Sequence, residues 1–238
     1  MRILASSDIH SPKWTGKFLI SLKRKIVDGG FDLFVLAGDL AERGGYKHLY
    51  PIYEELKDRR CVAVFGNEDF RNFRERYKEE YPSFTWLDDS SEVFRIGTKR
   101  VLVVGSEGVL QRPTRFQRLL GIDESYFKKR MERIDELLCE EADFRILVTH
   151  YASSLETVLG EKESIYPYLG YPLVEKVRCA PDIAIHGHAH FAKRTLYFNG
   201  KTKVYNVALP ANQDVVKIDV PNIVTDSNDR DEREKEVK

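Results

Sequence analysis

At 238 residues, 42% hydrophobic and 32% charged, the chain has the size and composition of a globular protein with a substantial buried core. Lysine plus arginine and aspartate plus glutamate number 38 each, so no net field recruits nucleic acid or an anionic membrane, and any attraction for an anion has to be local. No apolar run approaches the roughly 18–20 residues of a membrane span, and the start, MRILASSDIH, runs straight into a strand-like segment without a leader pattern.

RILASSD (2–8) reads as a buried strand ending in polar residues, and helical spacing over 16–30 predicts a helix that stops at Gly29-Gly30. FDLFVLAGD (31–39) is a second buried strand, followed by a helix over about 46–58. CVAVFGNED (61–69) is a third, followed by a charged helix from Phe70 to Tyr81. This rhythm predicts parallel strands with right-handed helical crossovers. Residues 92–108 read as a hairpin turning at Gly97-Thr98-Lys99, and an amphipathic helix follows over 114–142 with a break at Gly121. FRILVTH (144–150) and DIAIHGH (182–188) are two more apolar strands, each ending at a histidine. Asn199-Gly200 turns a further hairpin and 214–220 makes the last strand. One domain is expected over 1–220, with the charged stretch 221–238 as a solvated tail. Cys61, Cys139 and Cys179 form no C-x-x-C pair, so free thiols and a reducing, cytoplasmic setting are expected.

Three of the six histidines crowd into IHGHAH, 185–190. They belong to a wider pattern, because each predicted core strand ends in residues that can bind metal. Asp8 and His10 follow the first strand, Asp39 the second, Asn67 and Glu68 the third, His150 the fourth, His188 and His190 the fifth. Singly, each has a structural use: an aspartate caps a helix, an asparagine sits in a turn, a histidine is satisfied in a core. Together they require five coincidences of type and position. Carboxylates, imidazoles and one amide oxygen suit divalent transition metals, and the lack of thiolates argues against a structural zinc. Glu68 aside, two aspartates, an asparagine and four histidines make seven ligands, too many for one ion and right for two that share a bridge. Two dications outweigh the charges of Asp8 and Asp39, so the pocket would attract an anion, phosphate first, and a bridging water would be acidified enough to attack it.

Read in order, Asp8-Ile9-His10, Gly38-Asp39, Gly66-Asn67-Glu68-Asp69, His150 and Gly187-His188-Ala189-His190 resemble the D-x-H, G-D, G-N-H-D/E, H and G-H-x-H signature of the calcineurin-like metallophosphoesterase superfamily. The resemblance implies an α/β fold, a four-layer αββα sandwich with two central mixed sheets. It implies that Asp8, His10 and His190 hold a first metal and Asn67, His150 and His188 a second, with Asp39 bridging and His186 structural. Glu68 departs from the family, which usually places there a histidine that stabilises the transition state or protonates the leaving group. A glutamate donates a proton only when protonated, which burial beside Asp69 would favour. Glu68 and Asp69 are therefore the catalytic candidates.

The expected function is hydrolysis of a phosphodiester or phosphomonoester, small molecule or nucleotide, by a metal-bridging hydroxide. Two divalent ions are expected, manganese first, with iron, zinc, nickel or magnesium as alternatives. An interaction module with this fold and little catalysis is the competing reading, which Glu68 favours; a nuclease is least favoured by the neutral charge, and no membrane partner is expected. Oligomeric state is left open. Tyr166, Tyr168 and Tyr171, within 151–172, read either as a lid over an aromatic group or as packing on the body. Arg112, Arg115 and Arg118 read as phosphate clamps or as a solvated helix face, with Arg43 and Arg71 as comparable candidates.

Overall fold

The computed structural model describes residues 1–221; the tail expected beyond Pro221 lies outside the described residues. β1 (Arg2–Ser6) sends Ile3 and Ala5 into one apolar cluster and Leu4 into another. After α1 (Thr15–Val27), β2 (Leu33–Ala37) repeats the division, with Leu33, Val35 and Ala37 on one side and Phe34 and Leu36 on the other. A strand buried on both faces must be apolar at every position, which is why these segments read as unbroken hydrophobic runs. Next come α2 (Tyr50–Leu56), β3 (Cys61–Val64) and α3 (Arg74–Glu80), then a strand of only two residues, β4 (Thr85–Trp86), which the sequence pattern does not signal. The hairpin of β5 (Ser90–Ile96) and β6 (Lys99–Ser106) leads into α4 (Arg115–Leu119) and α5 (Glu124–Leu138). β7 (Phe144–Thr149), β8 (Ile183–His186), β9 (Leu196–Phe198), β10 (Lys203–Asn206), α6 (Leu209–Asn212) and β11 (Val216–Asp219) complete the described chain.

The strands form a five-stranded sheet in the order β11-β1-β2-β3-β4 and a six-stranded sheet in the order β5-β6-β7-β8-β10-β9. Parallel central pairs carry antiparallel partners at the edges, so both sheets are mixed. Val35 and Val64 of the first sheet share a cluster with Val103, Val148 and Ile185 of the second. On the outer face of the first sheet, Leu4, Phe34 and Leu36 receive Phe18 and Leu22 of α1 and Ile52 and Leu56 of α2. On the outer face of the second, Leu102, Val104 and Leu147 receive Phe127, Ile134 and Leu138 of α5. The result is a four-layer αββα sandwich, in which each fully buried Leu, Ile or Phe contributes about 1.5–3 kcal/mol of transfer free energy. The helix expected over 114–142 does break at Gly121, into α4 and α5, because the chain caps itself twice. The Thr114 hydroxyl and the Gln117 side chain exchange backbone hydrogen bonds at the start of α4, and Asp123 accepts from the Tyr126 N–H (3.1 Å) to start α5.

One expectation is corrected. Cys139 and Cys179 are joined in a disulfide, with Cα atoms 5.2 Å apart, and only Cys61 is a free, buried thiol. Cys139 caps the C-terminus of α5, and Cys179 precedes β8. Packing of α5 on the second sheet brings together positions 40 apart in sequence, which no local spacing reveals. Disulfides of this kind belong to oxidising compartments and to intracellular proteins of extreme thermophiles, so the cysteines no longer support a reducing setting. Closing a loop of this length constrains the unfolded chain, and replacing Cys139 and Cys179 together by serine is expected to cost about 2–4 kcal/mol. Urea unfolding checks this; an unchanged midpoint would show that the bridge constrains little.

Candidate metal centre

The loops after β1, β2 and β3 of the first sheet and after β7 and β8 of the second meet at one end of the sandwich. His150 Nδ1 donates to the Ala37 carbonyl (3.1 Å) and the His188 N–H donates to Asp8 Oδ2 (2.9 Å), so both contacts cross between the sheets. Asp8, His10, Asp39 and His188 have left-handed backbone, with φ of 55°, 43°, 51° and 67°. Aspartate and histidine tolerate that region better than branched residues, and such strain collects at functional sites. The loops also approach closely. A Cβ at Gly66 would overlap the Asp39 carboxylate, and one at Gly187 would overlap the Ser7 hydroxyl and the Asp8 carboxylate. Gly187→Ala is therefore expected to displace Asp8 and weaken Mn²⁺ binding about 10–100-fold, as loss of a ligand's supporting contact does. Calorimetric titration measures it, and an unaltered affinity would uncouple this loop from the centre.

Two groups of side chains assemble there. Asp8, His10 and His190 form one, Asp39, His150 and His188 the other, each with donor atoms within 4.8 Å of one another. Asp39 faces both: its Oδ1 lies 3.5 Å from His150 Nε2 and its Oδ2 3.9 Å from His10 Nε2. Asn67 Oδ1 lies 3.1 Å from His150 Nε2, which adds the amide to the second group. A carbonyl can only accept, so His150 Nδ1 carries a proton, and Nε2 is the ring atom turned toward the Asp39 carboxylate and the Asn67 oxygen. By the same reasoning His188 Nε2 donates to the Tyr168 carbonyl (3.2 Å), which leaves its Nδ1 bare. Carboxylate, imidazole and amide donors converging in this way are of the kind a divalent cation takes.

Electrostatics point the same way. Burial and then the neighbouring charges of Asp8 and Asp69 push Asp39 well above the usual carboxylate range. Asp8 is as deeply buried, yet the hydrogen bond from His190 (2.8 Å) and the charges of His150 and His190 hold it low. Burial pushes His188 down to about 3, so near neutral pH its ring is an uncharged ligand. Asp39, buried and beside the uncharged His188 ring, is short of positive charge.

Glu68 is half-buried and lines a cleft of about 780 Å³ beside His10 and His190. Its Oε2 accepts from the Arg43 N–H (3.1 Å), and its own N–H donates to Asp39 Oδ1 (2.8 Å). Asp69 is fully buried and accepts from the backbone N–H groups of Leu40, Ala41 and Gly66 and from the Tyr77 hydroxyl, so it clamps the β2 and β3 loops together. His186 is buried, with Nδ1 donating to the Gly187 carbonyl and Nε2 2.6 Å from the Thr157 hydroxyl. Tyr166 and Tyr171 pack on the body, while the Tyr168 carbonyl supports His188. Arg43 lines the cleft; Arg71 stacks on Tyr126, and Arg112, Arg115 and Arg118 are exposed on and ahead of α4. The sequence reading passed over Lys13, Trp14 and Phe191 in the cleft wall, although all three stand one to four residues from predicted ligands.

The family model for calcineurin-like phosphoesterases matches residues 1–192. Comparison with curated protein sequences gives no match. Among solved structures, similarity covers 98% of this chain and 57% of a Staphylococcus aureus chain assigned as a 5′-nucleotidase, at 15% identity and a TM-score of 0.59. A dimetal phosphatase from Danio rerio is 12% identical over 87% of this chain and 86% of its own, with a TM-score of 0.56. A sulfate thiohydrolase from Thermus thermophilus is 17% identical over 85% of this chain and 38% of its own, with a TM-score of 0.55. At these identities the likeness is one of fold.

Proposed function

The chain belongs to the calcineurin-like phosphoesterase family, and from that premise we propose that it is a dinuclear metal-dependent hydrolase of a small phosphate ester or nucleotide. The observation that carries the proposal is Asp39, whose two carboxylate oxygens face two separate sets of ligand side chains. Asp8, His10 and His190 would hold one ion, Asn67, His150 and His188 the other, and Asp39 both. Bound there, a pair of divalent ions would neutralise the phosphoryl oxygens and lower the pKa of a water enough for it to attack phosphorus.

The chain's own groups do the rest. The Ala37 and Tyr168 carbonyls fix the tautomers of His150 and His188, so their lone pairs need no reorganisation. Lys13 and Arg43, in the cleft wall, orient the ester's anionic oxygens. Glu68, in the same wall, is placed to give a proton to the departing oxygen, and Asp69 braces the loops that carry Asp39 and Asn67.

The test is hydrolysis of bis-p-nitrophenyl phosphate and p-nitrophenyl phosphate by chelator-stripped protein resupplied with Mn²⁺, Mg²⁺, Fe²⁺, Zn²⁺ or Ni²⁺. Metal-restored turnover is expected, and the faster ester and the better metal assign preference. Glu68→Gln should slow the poorer leaving group of an alkyl ester more than a nitrophenyl one, since only the former needs a proton. Metal binding without turnover of either ester would favour the interaction-module reading.

A further inference from the structure

We infer that the cleft beside His10 and His190 takes a phosphate ester whose organic group carries a flat aromatic ring, with Trp14 and Phe191 as its apolar walls. The inference rests on the phosphoesterase reading above and adds the class of substrate. The cleft is lined by His10, Lys13, Trp14, Arg43, Glu68 and Phe191 among others, and its volume of about 780 Å³ is far more than one phosphate fills. It lies within the roughly 300–1,000 Å³ of small-molecule sites. The remaining space belongs to whatever the phosphate is attached to.

The wall says what that group is. Phe191 directly follows the predicted ligand His190 and is 76% exposed, with its backbone N–H anchored on Glu161 (2.8 Å). The fold gains little from a phenyl ring left in water, but a ligand ring can cover it. Trp14 lines the same cleft, with the Lys13 and Lys17 ammonium groups 5.8 and 5.7 Å from its ring centroid. Arg43 completes the wall in a left-handed conformation (φ 50°), the backbone strain expected where a side chain is aimed for use. Aromatic faces interleaved with cations are the recognition chemistry of an anion joined to a planar ring, whether an aryl group or a nucleobase. Glu42 also lines the cleft, and Lys13 and Arg43 serve the phosphate, so an uncharged organic group fits best.

Phosphonates test this without turnover, because their C–P bond resists hydrolysis. Binding of benzylphosphonate, propylphosphonate and the methylene-phosphonate analogue of AMP to the Mn²⁺-loaded full chain would be measured by calorimetry. At least one aromatic ligand is expected to bind about tenfold or more tightly than propylphosphonate, the scale of one stacked ring. Phe191→Ala and Trp14→Ala should each shrink that ratio, and Phe191→Tyr should keep it. Tighter binding of the benzyl compound assigns an aryl ester, and tighter binding of the AMP analogue a nucleotide. Equal affinities for all three, or a preference that survives loss of both rings, overturns the inference. The two readings fail separately: hydrolysis without aromatic preference sinks only this one, and aromatic preference without metal-dependent hydrolysis sinks only the phosphoesterase assignment.

Discussion

Asp39→Asn is expected to lower metal-dependent phosphoesterase activity by about 10³-fold, or about 4 kcal/mol of transition-state stabilisation, while leaving the metal-free protein at least as stable. The substitution keeps shape and changes two things. One carboxylate oxygen becomes an amide nitrogen. Since Oδ1 accepts from the Glu68 N–H (2.8 Å), the remaining oxygen should stay there, and the amide would point toward His10. The first metal group then meets a donor where it had an acceptor. The second change removes a charge that burial and the charges of Asp8 and Asp69 already disfavour, so folding loses little. Such opposition between activity and stability marks a residue held in place for function. Turnover of a nitrophenyl ester, Mn²⁺ titration and thermal unfolding in chelator read the two effects separately. A variant that keeps a tenth of the activity would remove Asp39 from the centre.

The sandwich and the gathering of candidate metal ligands at one end were legible in the sequence for one physical reason. β1, β2, β3, β7 and β8 are buried on both faces, so their apolar runs have sharp ends, and the polar residues at those ends stand out. What depends on tertiary contact was not legible. β4 is two residues long and exists only as an addition to β3. The cysteine pair is made by packing of a helix on a sheet, and the tyrosines of 151–172 gave no sign of which face would be covered. Glu68 carries the same lesson. Burial was expected of Glu68, but it lies in the cleft wall, and its neighbour Asp69 is the one fully buried. Burial alternates between adjacent residues in a tight turn, and a motif does not say which of the two turns inward.

The hardest feature to read is Glu107, one residue beyond the end of β6 and indistinguishable in sequence from a surface acid. It is buried, and its Oε2 accepts from Arg74 Nη2 (2.7 Å) with Arg130 Nη1 3.5 Å and Arg71 Nη2 3.6 Å away. Burial opposes its charge, but Arg130 and Arg74 overcome that and hold the carboxyl at about 2. Removing one partner of a buried ionic cluster leaves uncompensated charge, so Glu107→Gln is expected to cost about 3–5 kcal/mol. Linkage gives a similar figure: a carboxylate held at about 2 against an ordinary 4.5 contributes about 3 kcal/mol. The sign follows from a lowered pKa. The contribution is fully present above pH 4.5 and is lost as pH falls toward 2, so the variant's stability should depend less on pH across that window. The consequence reaches the metal centre, because Glu107 Oε1 accepts from the Tyr151 hydroxyl (2.9 Å), and the Tyr151 ring packs edge-on against His188 with centroids 5.0 Å apart. Glutamine keeps an acceptor for that hydroxyl and alanine does not. Glu107→Gln should therefore lose stability but bind Mn²⁺ as the parent does when folded, whereas Glu107→Ala should lose both. Urea unfolding over the acid range, with metal titration at low temperature, separates the two; equal Mn²⁺ affinity in both variants would mean that Tyr151 does not position His188.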